Sequence, residues 1–379
     1  MDTIGTISFN ELELSSNVIK DLDFHGMETM MPIQQESIPL LLEGSDLIAQ
    51  AKTGTGKTLA FAVPIVEKVN LEDRFVQALI ITPTRELAIQ VSGEIKKIGV
   101  QKKLKVACVY GGKSIDVQSK SIRGGAQVVV GTPGRMLDMM KRRILDIGRI
   151  RMLVLDEADR MLDMGFIDDI MRIIDATPND RQTMLFSATI DDRVRHFAQK
   201  ITRDAKHIST GCDELTVEGI EQCYYEIDRQ DKLDFFEKVV RMETPESAII
   251  FCNTKRWSET LIKLLKRRGL DAQALHGGMS QAQREKVMDG FRQKKFRYLI
   301  ATDVAARGLD IDDVSHVFNY DIPQEPSNYV HRIGRTGRAG KKGKAISFIE
   351  ANEVRSLWDI EHKCQTKIPQ ARLGVLQYH

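Results

Sequence analysis

The sequence predicts two successive α/β domains, each a mostly parallel sheet flanked by helices. Short Val/Ile/Leu-rich runs alternate with helical patterns along all 379 residues, and near-continuous apolar runs suit parallel strands buried on both faces. Almost every run ends in a polar or glycine-bearing turn, and open α/β sheets bind ligands beyond the carboxyl ends of their strands. The length suits two domains, each able to bury its own core.

In chain order, the strands of the first half are read at Leu47–Ala49, Ala78–Thr82, Val106–Tyr110, Gln127–Gly131, Met152–Leu155 and Thr183–Ser187. Those of the second half are read at Ala248–Cys252, Ala272–Leu275, Tyr298–Ala301, His316–Asn319 and Ala345–Ile349. The interval from Lys206 to Glu218 is polar and weakly periodic. It sets the organisation as domain 1 at residues 1–207, a linker at 208–218 and domain 2 at 219–379.

Composition narrows the function classes. Cut after Thr210, the chain carries 28 Lys+Arg against 28 Asp+Glu, then 27 against 25. Bulk positive charge therefore does not recruit a partner, and any nucleic acid must be held by placed groups such as helix N-termini and single arginines. The runs at Lys102–Lys105 and Lys341–Lys344 read as solvated faces. No apolar run is long enough for a membrane span, and the first residues lack a signal-peptide pattern. The five scattered cysteines argue for a reducing compartment, the cytoplasm, and against zinc or a disulfide framework.

The stretch Ala51-Lys-Thr-Gly-Thr-Gly-Lys-Thr58 lies between an apolar run and a helical pattern. That is the context of a phosphate-binding loop. Gly54 and Gly56 let successive N–H groups of Thr53–Thr58 face one anion at the positive end of a helix. Lys57 would reach the outer phosphates, and Thr58 would ligate Mg2+. Downstream, Asp156-Glu157-Ala-Asp159 closes an apolar run. Asp156 can hold Mg2+ and Glu157 can activate a water; an acidic helix start is the plainer reading. Ser187 and Thr189 could bond Asp159, or one could cap a helix. In the second half, His331-Arg-Ile-Gly-Arg335-Thr-Gly-Arg338 presents three arginines spaced by glycine. Arginines from a second body can stabilise the charge of a triphosphate in hydrolysis, so the two domains are expected to share one nucleotide in a cleft.

These residues resemble the DEAD-box ATP-dependent RNA helicases of superfamily 2. The resemblance spans Phe9 to about Ile368 and rests on many motifs in the family's order. They are Ala51–Thr58, Pro83-Thr84-Arg85-Glu-Leu87, Gly111-Gly112, Thr132-Pro133-Gly134-Arg135, Asp156–Asp159, Ser187-Ala-Thr189, Ile250-Phe-Cys-Asn253, Gln281-x-x-Arg284, Ala301–Asp310 and His331–Arg338. It implies two tandem RecA-like domains and RNA-stimulated ATP hydrolysis that closes them and separates short duplexes. It also implies that Phe9, Met27, Gln34, Thr53, Gly54, Thr55, Gly56, Lys57, Thr58, Asp310, Arg335 and Arg338 bind ATP, with Arg335 and Arg338 as arginine fingers. Lys57, Asp156 and Glu157 complete the catalytic set. Asp159, Ser187, Thr189 and His331 couple the sites. RNA falls to Pro83, Thr84, Arg85, Gly111, Gly112, Thr132, Pro133, Gly134 and Arg135 in the first domain, and to Thr254, Gly278, Gln281, Arg284 and Thr302 in the second. Contacts of this kind to phosphate and sugar are largely sequence-independent.

The chain departs from the family at the adenine end. It reads Gly26-Met-Glu-Thr-Met-Met-Pro-Ile-Gln34, with Met27 in place of the stacking aromatic and Met30-Met31 in place of Pro-Thr. The resemblance further implies a monomer that meets RNA-processing, ribosomal or degradosome proteins. The competing function is an ATP-gated RNA clamp that serves as a platform for partners; a DNA helicase of the same superfamily is the third.

Overall fold

The computed structural model describes residues 7–51, 54–210, 220–303, 314–337, 343–364 and 366–372. The chain divides into two compact units, Met1–Cys212 and Asp213–His379. The first is built on β1 (Leu47–Ala51), β2 (Ala78–Ile81), β3 (Val106–Val109), β4 (Val128–Gly131), β5 (Met152–Asp156), β6 (Gln182–Ser187) and β7 (Lys206–Thr210), in the order β3-β4-β2-β5-β6-β1-β7. The second uses β8 (Ile220–Glu226), β9 (Ala248–Phe251), β10 (Ala272–Leu275), β11 (Tyr298–Ala301), β12 (His316–Asn319) and β13 (Gly343–Ile349), in the order β10-β11-β9-β12-β13-β8. Every described strand pair is parallel.

Both faces of each sheet are covered, and the strand residues show it by alternation. Ala78 and Ile80 of β2 join one buried cluster with Phe61, Val63 and Val91, whereas Leu79 and Ile81 join another with Met136, Ile170 and Phe197. In the second unit Ile249 and Phe251 of β9 face Met288, Tyr329 and Leu357, while Ala248 and Ile250 face Phe236, Leu261 and Leu265. Burial on both sides leaves no polar positions in these strands, which is why they read as continuous apolar runs.

Two strands escape that reading. β7 and β8 are edge strands, each with a single neighbour. Only Ile208 of β7 is buried, and only Cys223 and Tyr225 of β8. The interval taken as a linker therefore begins inside a strand, because residues 208–210 pair in register with Ala49, Gln50 and Ala51 of β1. Residues 211–219 lie outside the described residues. Of the described lysines in the two basic runs, Lys103 and Lys105 are exposed, while Lys102 and Lys344 are used internally. Lys102 Nζ caps the helix Lys57–Lys68 through the carbonyls of Val66 (2.7 Å) and Glu67 (2.8 Å), and Lys344 Nζ bonds Glu243 at 2.8 Å.

Helix starts follow local chemistry. Thr84, Asp191, Thr254 and Ser280 each accept a backbone N–H of the first turn that they precede, satisfying donors with no partner inside the helix.

The second core centres on Phe236, fully buried, with rings of Phe318, Tyr320 and Phe348 edge-on at 5.6, 5.2 and 5.2 Å. Phe236→Ala is expected to cost about 3–5 kcal/mol, read as a lower urea midpoint of the second unit. Phe24→Ala, at a ring 83% exposed, should stay within about 0.5 kcal/mol. Equal midpoints for the two variants would contradict this packing.

Candidate nucleotide site and nucleic-acid interface

Parallel register aligns the carboxyl ends of the strands. Asp156 ends β5 opposite Phe186, and Ser187 ends β6 opposite Gln50 of β1. The loop after β1 turns through Gly54 and Gly56, at φ 84° and 87°, a region that side chains with a Cβ avoid. At Gly56 a Cβ would also run into the Gln34 amide. Gln34 is buried and tied to the loop itself: Nε2 donates to the Gly56 carbonyl (2.9 Å) and Oε1 accepts from Met31 N (2.9 Å). Met27 packs half-buried against the first core, and Phe9 is buried in it. Thr53 lies outside the described residues, and Thr55 and Thr58 are partly exposed on the loop and first turn.

Two buried groups at this rim lack hydrogen-bond partners among the described residues: Lys57 Nζ and Asp156 Oδ1. Leaving such groups unpaired in a protein interior is costly. Burial pushes the Asp156 carboxyl up to about 7, partly offset by the Lys57 charge and reinforced by Glu157. A buried carboxylate oxygen without a hydrogen bond is a donor of the kind Mg2+ takes, and the ammonium suits phosphate oxygens.

Glu157 adopts φ 56° and ψ 52°, a left-handed conformation that costs a non-glycine residue of order 1–3 kcal/mol. It stands at the start of the helix Ala158–Asp163 but makes no side-chain cap. Instead its Oε2 accepts from Arg160 Nη1 at 2.6 Å, with both side chains buried. Asp159 bonds the next strand end: its Oδ2 accepts from Thr189 N (3.0 Å) and Oγ1 (3.1 Å), and its own N–H donates to Ser187 Oγ (3.3 Å). The helix that follows, Asp192–Ile201, is capped by Asp191 rather than by either hydroxyl.

Other predicted residues gather at the ends of β3, β4 and β2, which are neighbours. Pro83, Thr84 and Arg85 follow β2, Gly111 and Gly112 follow β3, and Thr132, Pro133, Gly134 and Arg135 follow β4. The Arg85 guanidinium lies against Gly111 and Gly112, the latter at φ 91°, where a Cβ would displace it. Arg135 Nη1 donates to the Lys113 carbonyl and to Gln118 Oε1, each at 3.1 Å.

The second unit repeats the arrangement at β10, β11 and β9. Gly278 lies beyond β10, Thr302 directly after β11, and Thr254 just past β9. Gln281 and Arg284 are in the helix Gln281–Arg292. His331 is on the helix Pro326–Ile333, and Arg335 is buried just beyond it. Asp310 and Arg338 fall outside the described residues.

One of the three spaced arginines departs from expectation. Arg332 is 1% exposed and saturated within its own unit. It holds Asp303 through Nε (2.6 Å) and Nη2 (2.7 Å), Asn253 Oδ1 (3.1 Å), Asn319 Oδ1 (3.2 Å) and the Asp321 carbonyl (2.6 Å). It is a strut between strand ends, not a group aimed at phosphate. Sequence reasoning missed Arg160 as well, although its spacing of three from Glu157 on a helix start is a legible pairing signal.

Asp156→Asn tests the electrostatics of this site. A carboxyl raised in the folded state loses stability as pH rises from its unfolded value near 4 through about 7. In chelator and without nucleotide, Asp156→Asn is expected to melt about 2–6 °C above the parent at pH 8. The difference should vanish near pH 4. A lower melting temperature at pH 8 would overturn the assignment.

The DEAD/DEAH box helicase family model covers residues 31–197, and the helicase conserved C-terminal domain model covers residues 231–340. The DEAD-box ATP-dependent RNA helicase CshA of Streptococcus pneumoniae is 48% identical over 356 residues, spanning 94% of this chain and 68% of that protein. CshA of Bacillus subtilis is 45% identical over 367 residues, 97% of this chain and 74% of the relative. Among solved structures, S. cerevisiae Dbp5 bound to RNA and ADP BeF3 gives a TM-score of 0.87 at 37% identity, over 96% of this chain and 95% of that one. Mss116p bound to ssRNA and AMP-PNP gives 0.88 at 29% identity, over 99% and 81%. With two tandem RecA-like domains and this motif set, the chain belongs to the DEAD-box ATP-dependent RNA helicases.

Proposed function

We propose that this chain hydrolyses ATP in an RNA-stimulated cycle that separates short RNA duplexes. The observation that carries the reading is the pair of buried atoms Lys57 Nζ and Asp156 Oδ1, neither hydrogen-bonded among the described residues. Each lacks the partner that a Mg2+-bound triphosphate supplies. Thr58 and Asp156 are the residues that would hold Mg2+, which offsets charge on the phosphates when bound. Lys57 and the loop N–H groups orient the outer phosphates.

Glu157 is the group that activates water. Arg160 fixes its Oε2, which leaves Oε1 to accept a water proton and prevents the carboxylate from swinging. Arg335 is assigned to the charge that develops on the transferred phosphoryl group, with Arg338 and the ribose contact Asp310 completing the set by family resemblance. Asp159, Ser187 and Thr189 form one hydrogen-bonded unit, which suits them to carry a change at the nucleotide to the neighbouring strand end; His331 is given the same role. Gln34 would report adenine to the loop through its Gly56 bond.

RNA is assigned to the two sets of strand-end residues, Pro83 to Arg135 in the first unit and Thr254 to Thr302 in the second. The relatives named as RNA helicases favour strand separation over a static clamp. Dbp5 has been solved bound to RNA and ADP BeF3, which supports joint nucleotide and RNA binding. Work as a monomer in the cytoplasm, alongside RNA-processing partners, is the accompanying proposal; Cys108, Cys223, Cys252 and Cys364 are free thiols, compatible with a reducing compartment.

Glu157→Gln should keep ATP and RNA binding while lowering turnover by about 10²–10⁴-fold. RNA-stimulated phosphate release measures it, and near-normal turnover would remove Glu157 from the mechanism. Arg335→Ala should lower kcat by roughly 10³-fold or more with little change in ATP affinity. A loss confined to KM would instead make Arg335 a plain binding group.

A further inference from the structure

Gln118 lies in the helix Ile115–Arg123, is 6% exposed, and belongs to none of the motifs that carry the function. Its amide makes three hydrogen bonds. Nε2 donates to the Tyr110 carbonyl at 2.9 Å, and Oε1 accepts from Tyr110 N at 3.2 Å and from Arg135 Nη1 at 3.1 Å. Tyr110 is the residue directly before Gly111-Gly112. The amide thus gives the end of β3 the donor and acceptor that a neighbouring strand would supply. With the same oxygen it holds a guanidinium that arrives from the turn after β4.

The hold on Arg135 is geometrically specific. Both hydrogens of Nη1 are engaged, one by Gln118 and one by the Lys113 carbonyl at 3.1 Å. Among the described residues neither Nε nor Nη2 has an acceptor, which leaves that edge as a fixed fork suited to a phosphate. Without the Gln118 oxygen, the long arginine side chain would regain its rotamers and pay for ordering on binding.

We propose that Gln118 is a positioning residue for RNA: anchored on the Tyr110 backbone at the end of β3, it presents Arg135 to one backbone phosphate. This rests on the reading of Arg135 as an RNA contact. A residue that acted only on the fold would change stability without changing the number of phosphates neutralised.

The test measures binding of a short fluorescein-labelled single-stranded RNA to the full chain, with a non-hydrolysable ATP analogue, across a salt series. Gln118→Leu should weaken binding about five- to tenfold. It should also lower the slope of log affinity against log salt by about 0.7, the share of one phosphate on a single strand. Arg135→Ala should lower the slope by the same amount, and the double variant should be no weaker than Arg135→Ala alone. Gln118→Asn, which keeps a buried amide but is too short to reach both partners, should reproduce the slope change and serves if the leucine variant does not fold. Unchanged affinity and slope in a folded Gln118 variant would overturn the proposal, as would losses that add in the double variant. If Arg135→Ala itself leaves RNA binding unchanged, the assignment of Arg135 to RNA fails, separately from the role of Gln118.

Discussion

Parallel pairing in both sheets is the constraint from which the sites follow. Because every described strand pair is parallel, all the carboxyl ends of a sheet meet at one rim, and residues distant in sequence become neighbours there. Within the first rim the labour is divided by strand order. The β5-β6-β1 half carries Asp156, Glu157, Ser187 and the glycine loop, and the β3-β4-β2 half carries Gly111, Arg135 and Arg85. The second sheet has the same layout, with Gly278, Thr302 and Thr254 at the ends of β10, β11 and β9. On the proposed assignments, one architecture offers a nucleotide half and a nucleic-acid half in the first unit, and repeats the latter in the second.

The nucleotide half is held in a costly state. Lys57 and Asp156 carry buried, unpartnered polar atoms, and Glu157 takes a left-handed backbone conformation. None of this helps the protein fold. Preorganised charge in a water-poor site is what makes a group effective toward a charged ligand, and surrounding packing must hold it there. The fully buried strands β2, β5 and β6 supply that support.

Buried arginines divide into those that build the rims and those offered to ligands. Arg160 and Arg332 are each 1% exposed and bonded to carboxylates of their own unit, Glu157 and Asp303. A guanidinium spans several acceptors at fixed angles, so Arg332 can lock the ends of β9, β11 and β12 together through Asn253, Asp303 and Asn319. Arg135, half-buried, has one nitrogen anchored within the unit by the Lys113 carbonyl and Gln118.

The sequence by itself determined the fold class, the fully buried strands and the phosphate loop, because each rests on local chemistry. Continuous apolar runs report burial on two faces, and Gly54 and Gly56 report a backbone that only glycine adopts freely. The motif order was enough to point to the family. Tertiary structure decided the edge strands β7 and β8, whose mixed polarity reflects residues left exposed on their faces. It also decided which charged residues face inward. Arg332 stands in a run of arginines spaced alike along the chain, and it is consumed by Asp303, 29 residues away. Gln118 reaches Arg135 across 17 residues, and Gln34 reaches Gly56 across 22. Such pairings depend on distances through space between strand ends, which no spacing along the chain encodes.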